Sequence, residues 1–421
     1  LLPDGEHRLG FSIGRAREGE TMKGLFDDLL VLDCASFIAG PAAGTIMSDF
    51  GARVIKIEPP GIGDSYRQLM NVPGIPPADR NYFWILSNRN KESLALDLKH
   101  EAARPVLEAL IRKADVFITN FPGPIRERLK LRDEDVLPLN DRLIYASLTP
   151  YGEEGDEKDR TGYDATAWWA RSGLMDSVRA TPESEPALSV PGMGDHPTAV
   201  ALFGAIMAAL YRREKTGKGG SVSTSLLANG VWSVGCWMQA VLCDADFTVR
   251  LRRGQRSALT ELYRTRCGRW FMLVVLNYQR EWPLLVEAIG RPEWLVDPRF
   301  DTHAARRDNS AELVKALEDV FVQRDWTEWK SILERSGITY GPVAQPSDHL
   351  DCAQIAANAI LPEIEGAGGL RTVDSPISIG GEIKRAPQMA PAIGEHTRPV
   401  LRSFGFDDSA IDSLVRCGAV A

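Results

Sequence analysis

Two short apolar runs separated by one helical pattern set the strongest limit on how this chain folds. Residues 27–34 (DDLLVLDC) are apolar and bounded by polar positions, as expected of a buried strand. Residues 42–51 (AAGTIMSDFG) follow Pro41, suited to a first helical turn, and end at Gly51, suited to a helix stop. Residues 53–58 (RVIKIE) form a second strand, closed by Pro59 and Pro60. Such alternation predicts a β-α-β unit with a right-handed crossover and therefore a parallel sheet.

The alternation continues. Residues 93–98 are strand-like, and 101–114 (EAARPVLEALIRKA) carry a helical pattern despite Pro105. Residues 115–119 (DVFIT) and 142–148 (RLIYASL) are further strands, with a short basic helix running through residue 130 between them. The first half of the chain therefore reads as a doubly wound α/β domain. Ligands in such folds lie at the carboxyl ends of strands, which here are residues 35–39, Asn120 and 149–152.

Further along, residues 152–161 form a charged loop, read as a solvated connection or a cover over a site. A helix over 198–213 is apolar on nearly every face, which predicts burial between layers or between subunits. A strand at 221–226 and a second apolar helix at 228–243, with Trp232 and Trp237, follow. From about 246 to 335 short strands alternate with helices whose outer faces are charged. The expected division is a large domain over 22–215, a linking strand and helix over 216–245, a small domain over 246–335 and a return to the large domain over 336–421. Residues 1–21 lack the apolar core of a signal peptide and are expected to be a disordered extension before a natural start at Met22.

Composition excludes several functions. A net charge of −8 gives no basic footprint for nucleic acid, and an anionic ligand would need a local cationic pocket. The most apolar run, 199–211, is too short to span a membrane. Six cysteines without a C-x-x-C pair suggest reduced thiols in a cytoplasmic protein and neither a zinc site nor a disulfide framework. There is no G-x-S-x-G elbow, and the glycine-rich pieces at 61–63 and 217–221 match neither a dinucleotide fingerprint nor a P-loop.

One stretch carries candidate chemistry. In 162–175 (GYDATAWWARSGLM) a single carboxylate, Asp164, follows a glycine-led turn and precedes an aromatic helical segment. Asp164 reads either as an N-cap or as a nucleophile at a helix entrance, where free N–H groups steady negative charge. Trp168 and Trp169 are adjacent, so they point about 100° apart on a helix and at most one faces a substrate.

Several separated segments, taken in order, resemble the class III CoA-transferases, the superfamily of formyl-CoA transferase, carnitine CoA-transferase and α-methylacyl-CoA racemase. They are AGPAAGTIMSDFGARVIKIEPPGIGD at 39–64, NRNKESLALDLK at 88–99, ADVFITNFPGPIRERL at 114–129 and NDRLIYASLTPYG at 140–152. GYD at 162–164, GMGDHPTA at 192–199, REKTGKGGSVSTSLL at 213–227, YRTRCGRW at 263–270, GPV at 341–343 and GEHT at 394–397 continue the series. The resemblance implies an α/β protein with a Rossmann-like large domain built from both chain ends, a smaller α+β domain between, and an interlocked homodimer. It implies a cytoplasmic enzyme with no tightly bound cofactor, whose substrates are a CoA thioester and a free carboxylic acid, with an aryl, unsaturated or dicarboxylic acid as candidates.

The resemblance makes Asp164 the catalytic aspartate, forming an aspartyl-acyl anhydride and then an aspartyl-CoA thioester. It sets Phe37, Ile38 and Ala39 at the mouth of the active site, Asn120, Phe121 and Arg128 against CoA, and Asn90 and Lys91 near the nucleotide. Ile38 stands where oxalate-handling relatives carry glutamine, which favours a less polar substrate. Pro59 and Thr149 replace basic residues that some relatives use for CoA. The glycine-rich loop of some members is absent, and Arg252-Arg253-Gly254-Gln255 is its nearest candidate. The racemase branch has a histidine before the aspartate; here it is Tyr163, a poor general base with an ordinary pKa near 10, although Asp195 matches the second racemase residue. A racemase or isomerase, and a non-catalytic acyl-CoA-binding homologue, are the alternatives.

Overall fold

The computed structural model describes residues 24–246 and 253–421. The expected extension over residues 1–21, the start at Met22 and the loop candidate Arg252 lie outside the described residues. Contacts divide the chain into two compact units. The larger comprises residues up to Val178, Ala187–Met238 and Asn358–Ala421, and the smaller comprises Arg179–Pro186 and Gln239–Ala357.

The larger unit is organised on the predicted β-α-β start. Strand β1 (Leu30–Cys34), helix α1 (Ala39–Asp49) and strand β2 (Arg53–Glu58) are followed by α2 (Tyr82–Asn88), β3 (Glu92–Ala95), α3 (Ala103–Ile111) and β4 (Val116–Thr119). Then come α4 (Gly123–Leu129), β5 (Ile144–Thr149), a π-helical turn (Asp164–Ala170), α5 (Asp195–Thr216), β6 (Gly220–Ser225), α6 (Leu226–Ser233) and α7 (Gly235–Leu242). The six strands form one sheet in the order β3-β2-β1-β4-β5-β6, with every neighbouring pair parallel. Pro105 leaves α3 intact because the helix begins at Ala103, so the proline falls in the first turn, where no intrahelical N–H is required.

Side chains alternate across the sheet with a period of two. Val31, Val54, Val116 and Ile118 face α1 and α5, whereas Leu32, Ile55 and Phe117 face α3 and the C-terminal residues Val400, Leu401 and Ile411. One difference from the sequence reading has a local cause. The helix expected over 228–243 is two helices, α6 and α7, because Val234 leaves helical geometry (φ −94, ψ 12) ahead of the weak helix former Gly235. In helix α5, expected to be buried between layers or between subunits, Leu202, Phe203, Ile206 and Ala209 are buried within the single chain, while Gly204, Ala208 and Tyr211 face outward.

The smaller unit has a three-stranded antiparallel sheet of β7 (Thr260–Arg264), β8 (Trp270–Val274) and β9 (Thr339–Pro342). Its aromatic core includes Tyr263, Phe271, Phe321 and Trp329. Among the described residues no helix is long and apolar enough to cross a membrane.

The strand order reverses between β1 and β4, and a charged cluster sits at that end of the sheet. Lys56 on β2 has no exposed side-chain surface and lies 2.7 Å from Asp64 and 3.8 Å from Asp33. Lys91, equally buried, pairs with Asp33 at 2.7 Å and donates to the carbonyls of Pro41 and Ser87. Burial alone would push the Asp33 carboxyl up, but the two ammonium groups hold it below the ordinary range. Burial works against the Lys56 charge too, and there Asp33 and Asp64 prevail and raise its pKa. Removing one partner strands buried charge: Lys56→Met is expected to cost about 3–5 kcal/mol in urea denaturation. Arg53→Met, which breaks a half-exposed 2.8 Å pair with Glu92 from the same strand, should cost under about 1 kcal/mol. Equal losses would show that the cluster contributes no special stability.

Candidate active site

A cavity of about 660 Å3 opens where β1 and β4 end, at the reversal point that favours ligand binding in open parallel sheets. Its floor is the loop from β1 into α1. Asn120, just past β4, clamps that loop: its Oδ1 accepts from the Ser36 amide at 2.8 Å and its Nδ2 donates to the Ser36 carbonyl at 2.7 Å. Phe37 then adopts a left-handed backbone (φ 62), which costs a non-glycine residue roughly 1–2 kcal/mol. The amide of Phe37 donates to Asp64 Oδ1 at 3.2 Å, so the buried cluster also secures the strained residue. Helix α1 starts at Ala39 with no side-chain cap, and both Ile38 and Ala39 line the cavity. Pro41 carries no N–H and the Ala42 amide donates to the Ile38 carbonyl at 2.7 Å, so in the first turn only the Ala39 and Gly40 amides lack an intrahelical partner, at the positive end of the helix dipole beside the cavity.

Asp164 stands on the wall of the same cavity and is only 7% exposed. Tyr163, not Asp164, is the N-cap residue of the π-helical turn, and the Thr166 hydroxyl closes that turn by accepting from the Tyr163 amide at 2.9 Å. The Asp164 carboxylate is held by two main-chain donors, the Ala165 amide on Oδ1 at 2.7 Å and the Gly194 amide on Oδ2 at 3.1 Å. Position 194 must be glycine: a Cβ there would lie 2.5 Å from the Trp168 ring. Trp168 and Trp169 are both 6% exposed, stack on each other and do not line the cavity. At most one of them was expected to face a substrate; neither lines this cavity, and Trp168 is the surface on which Gly194 rests.

Asp195, the first residue of α5, also lines the cavity. Burial, and secondarily the charge of Asp164, push its carboxyl up to about 8, which favours the protonated form at neutral pH. Around these polar groups the lining is mainly apolar: Leu69, Val72, Phe121, Leu148, Val190 and Leu226.

Five of the eight residues singled out from the sequence besides Asp164 meet it here: Phe37, Ile38, Ala39, Asn120 and Phe121 share its cavity. Asn90 and Lys91 do not line it. Lys91 is turned inward to Asp33, with Asn88 Oδ1 as a further acceptor at 3.1 Å, which leaves no ammonium for a nucleotide. Asn90 donates to Asp49 at 3.1 Å and accepts from the Gln388 amide at 2.6 Å. Arg128 is exposed on α4 and outside the lining. The loop over 152–161 is anchored near its start, where Glu153 accepts from Ser147 at 2.6 Å and pairs with Arg126, and most of 154–161 is exposed, as in a solvated connection. Arg253, from the candidate shielding loop, is held inside the smaller unit by the Leu262 carbonyl and Glu318. The Gly194 amide was missed by sequence reading. GMGD marks the position, but a main-chain donor leaves no trace in residue type.

The profile of CoA-transferase family III matches residues 26–397. The (R)-2-hydroxy-4-methylpentanoate CoA-transferase of Clostridioides difficile is 29% identical, over 93% of this chain and 98% of its own length. The succinyl-CoA:glutarate CoA-transferase of Mus musculus is 30% identical, over 95% of this chain and 91% of its own. Among solved structures, a CAIB/BAIF family protein from Brucella suis aligns with a TM-score of 0.80 and 25% identity, covering 91% of this chain and 100% of that one. A match this long, over a mixed α/β fold of the same kind, identifies the chain as a member and an enzyme of CoA-transferase family III.

Proposed function

We propose that this enzyme moves CoA from an acyl-CoA to a free carboxylic acid through covalent intermediates on Asp164. The observation that carries the reading is a buried carboxylate, fixed by two main-chain amides, on the wall of an apolar cavity that the N-terminus of α1 also enters. An Asp164 oxygen attacks the thioester carbonyl and expels CoA thiolate, leaving an aspartyl-acyl anhydride. The thiolate attacks the Asp164 carbonyl carbon, releasing the first acid and forming an aspartyl-CoA thioester. The incoming carboxylate attacks that carbon, expels the thiolate and forms a second anhydride. Thiolate attack on the new acyl carbonyl yields the product and restores Asp164. Each step exchanges one acyl bond for another, so the thioester energy is retained while a difficult exchange is divided into easier ones.

The main-chain donors have parts in this scheme. The first amides of α1 face the developing oxyanion of the substrate thioester, and the Gly194 amide remains beside the Asp164 oxygen while that carbon is attacked. The apolar lining keeps water from the anhydride. CoA enters as substrate, with Asn120 and Phe121 beside its thiol arm and Arg128, on the helix that follows them, offered to its phosphates. Cytoplasmic operation accords with six cysteines that form no disulfide. The interlocked homodimer is supported by apolar side chains left open in the single chain: Trp232 is 85% exposed, Tyr211 64% and Trp237 58%. Sedimentation should therefore give a species of twice the 46.4 kDa chain mass, and a monomer at micromolar concentration would remove this part of the proposal.

Proton transfer at the α-carbon has one observation in its favour, Asp195 in the cavity. Its partner would be Tyr163, which is 58% exposed with its ring edge against Phe37. Incubation with a panel of acyl-CoAs, quenching with hydroxylamine and mass spectrometry separates the readings. An adduct on Asp164, lost in Asp164→Asn together with at least ~10⁴-fold of the exchange rate, is the expected result. Solvent deuterium at the α-carbon with no adduct would establish the racemase reading instead, and CoA binding with neither would establish the non-catalytic homologue.

Asp195 adds a pH dependence. Its folded-state pKa is raised, so between about pH 4 and about 8 the unfolded chain releases a proton that the folded chain keeps. Stability from this group therefore falls as pH rises through that window. Asp195→Asn should raise the melting midpoint relative to wild type by a margin that grows from pH 5 to pH 8. A margin independent of pH would show that Asp195 does not titrate in this way.

A further inference from the structure

Three consecutive amides on the way into α1 are each taken by a side chain from a different part of the sheet. The Ala35 amide donates to Asp33 Oδ1 at 3.3 Å, the Ser36 amide to Asn120 Oδ1 at 2.8 Å and the Phe37 amide to Asp64 Oδ1 at 3.2 Å. Two carbonyls are held as well, that of Ala35 by the Lys56 ammonium and that of Ser36 by Asn120 Nδ2. The pattern then stops. Among the described residues the amides of Ile38, Ala39 and Gly40 have no acceptor. Phe37 is left-handed (φ 62) and Ile38 right-handed (φ −113, ψ −62). Successive residues of opposite hand turn their amides toward one concave side, where an anion fits. The groups held behind Phe37 therefore decide where the free amides aim.

Asn120 differs from the other two restraints. Asp33 and Asp64 are counterions of Lys56 and line no part of the cavity, whereas Asn120 is neutral and lines it beside Ile38 and Ala39. It binds both main-chain groups of Ser36, which fixes that residue in rotation as well as in position. Gly40 lets the loop close back over this clamp, since a Cβ there would lie 2.5 Å from the Ala35 Cβ and 3.9 Å from Asn120 Cγ. The resemblance set Asn120 against CoA, yet its Oδ1 and Nδ2 are both engaged on Ser36. We infer that Asn120 is a positioning residue for transfer at Asp164: through Ser36 it aims the Ile38 and Ala39 amides at the carbonyl oxygen that becomes charged, so it governs the rate of the chemical step and not the affinity for CoA. This inference rests on the transfer reading above and adds a residue to it.

The test separates rate from affinity. Turnover of an acyl-CoA that labels Asp164 is measured for wild type, Asn120→Ala and Asn120→Asp. Affinity for the same acyl-CoA is measured by calorimetry with each substitution in the Asp164→Asn background, where no transfer competes. Asn120→Ala releases Ser36 at both groups and should lower kcat about 100-fold, the loss that follows when an oxyanion donor is displaced by about 1 Å. The dissociation constant should stay within about 3-fold of its parent. Asn120→Asp keeps the shape and the acceptor for the Ser36 amide but turns a carboxylate oxygen on the Ser36 carbonyl. It should lose at least about 10-fold in kcat with the same unchanged affinity, and it carries the test if the alanine variant does not fold. An unchanged kcat in the variants, or a loss of affinity that accounts for the whole fall in kcat/KM, overturns the inference. If no acyl-CoA labels Asp164 in the wild type, the transfer reading itself is overturned, and this inference with it.

Discussion

The ammonium of Lys56, sealed from water between Asp33 and Asp64, is the constraint on which the site depends. It joins the end of β1 to the loop after β2. Asp64 in turn holds the amides of Phe37 and Tyr66 at 3.2 and 2.9 Å. Charges this deeply buried are expensive to desolvate and contribute little net stability compared with an apolar core. What they supply is position. Phe37 keeps a left-handed backbone only because Asp64 on one side and the Asn120 clamp on Ser36 on the other fix it there. The consequence is a helix start that opens on the cavity with no side chain covering its first amides.

A second set of restraints acts on the nucleophile. Asp164 receives its two hydrogen bonds from separate segments, since Ala165 follows it directly and Gly194, thirty positions on, precedes α5. The Trp168 ring sets the distance between them, because it occupies the space that any side chain at position 194 would need. A carboxylate held by amides on both oxygens has one orientation toward the cavity and loses little entropy on attack. The π-helical turn contributes to this. Its N-cap role falls to Tyr163 and the Thr166 hydroxyl closes the turn, so the carboxylate of Asp164 is released from capping.

Much of this was legible in the sequence, and the reasons differ by element. The central strands of the parallel sheet were readable because they are buried on both faces and rich in apolar residues, as IYASLT at Ile144–Thr149 and VFIT at Val116–Thr119 illustrate. Asp164, Phe37, Ile38, Ala39, Asn120 and Phe121 were found through ordered motifs, and their common cavity follows from strand order. The burial of Lys91 leaves no trace in the motif that holds it. Only the three-dimensional pairing of β1, β2 and β3 reveals that it is the counterion of Asp33. The break at Val234 and the outward face of α5 were hidden for a related reason: local apolarity records that a surface is covered, but not by what. Trp232, apolar in sequence and 85% exposed in the single chain, is the clearest instance.

Charge within the cavity connects these observations to the chemistry. Two carboxyls line it, and burial, followed by the neighbouring Asp164 charge, pushes the Asp195 carboxyl up to about 8. The Asp164 charge faces amides rather than a lysine or arginine. An ammonium close to Asp164 would lower its reactivity as a nucleophile in every resting enzyme, whereas amide dipoles support the carboxylate and the oxyanion alike without neutralising either. The arrangement suits a reaction in which anionic carboxylate, neutral anhydride and thiolate succeed one another. The negative charge migrates from oxygen to sulfur and back while the net charge of the site is conserved. With Lys56, Lys91, Arg89 and Arg126 locked into Asp33, Asp49, Asp64 and Glu153, the fold commits these buried charges to its walls and leaves weak, fixed dipoles to do the work inside.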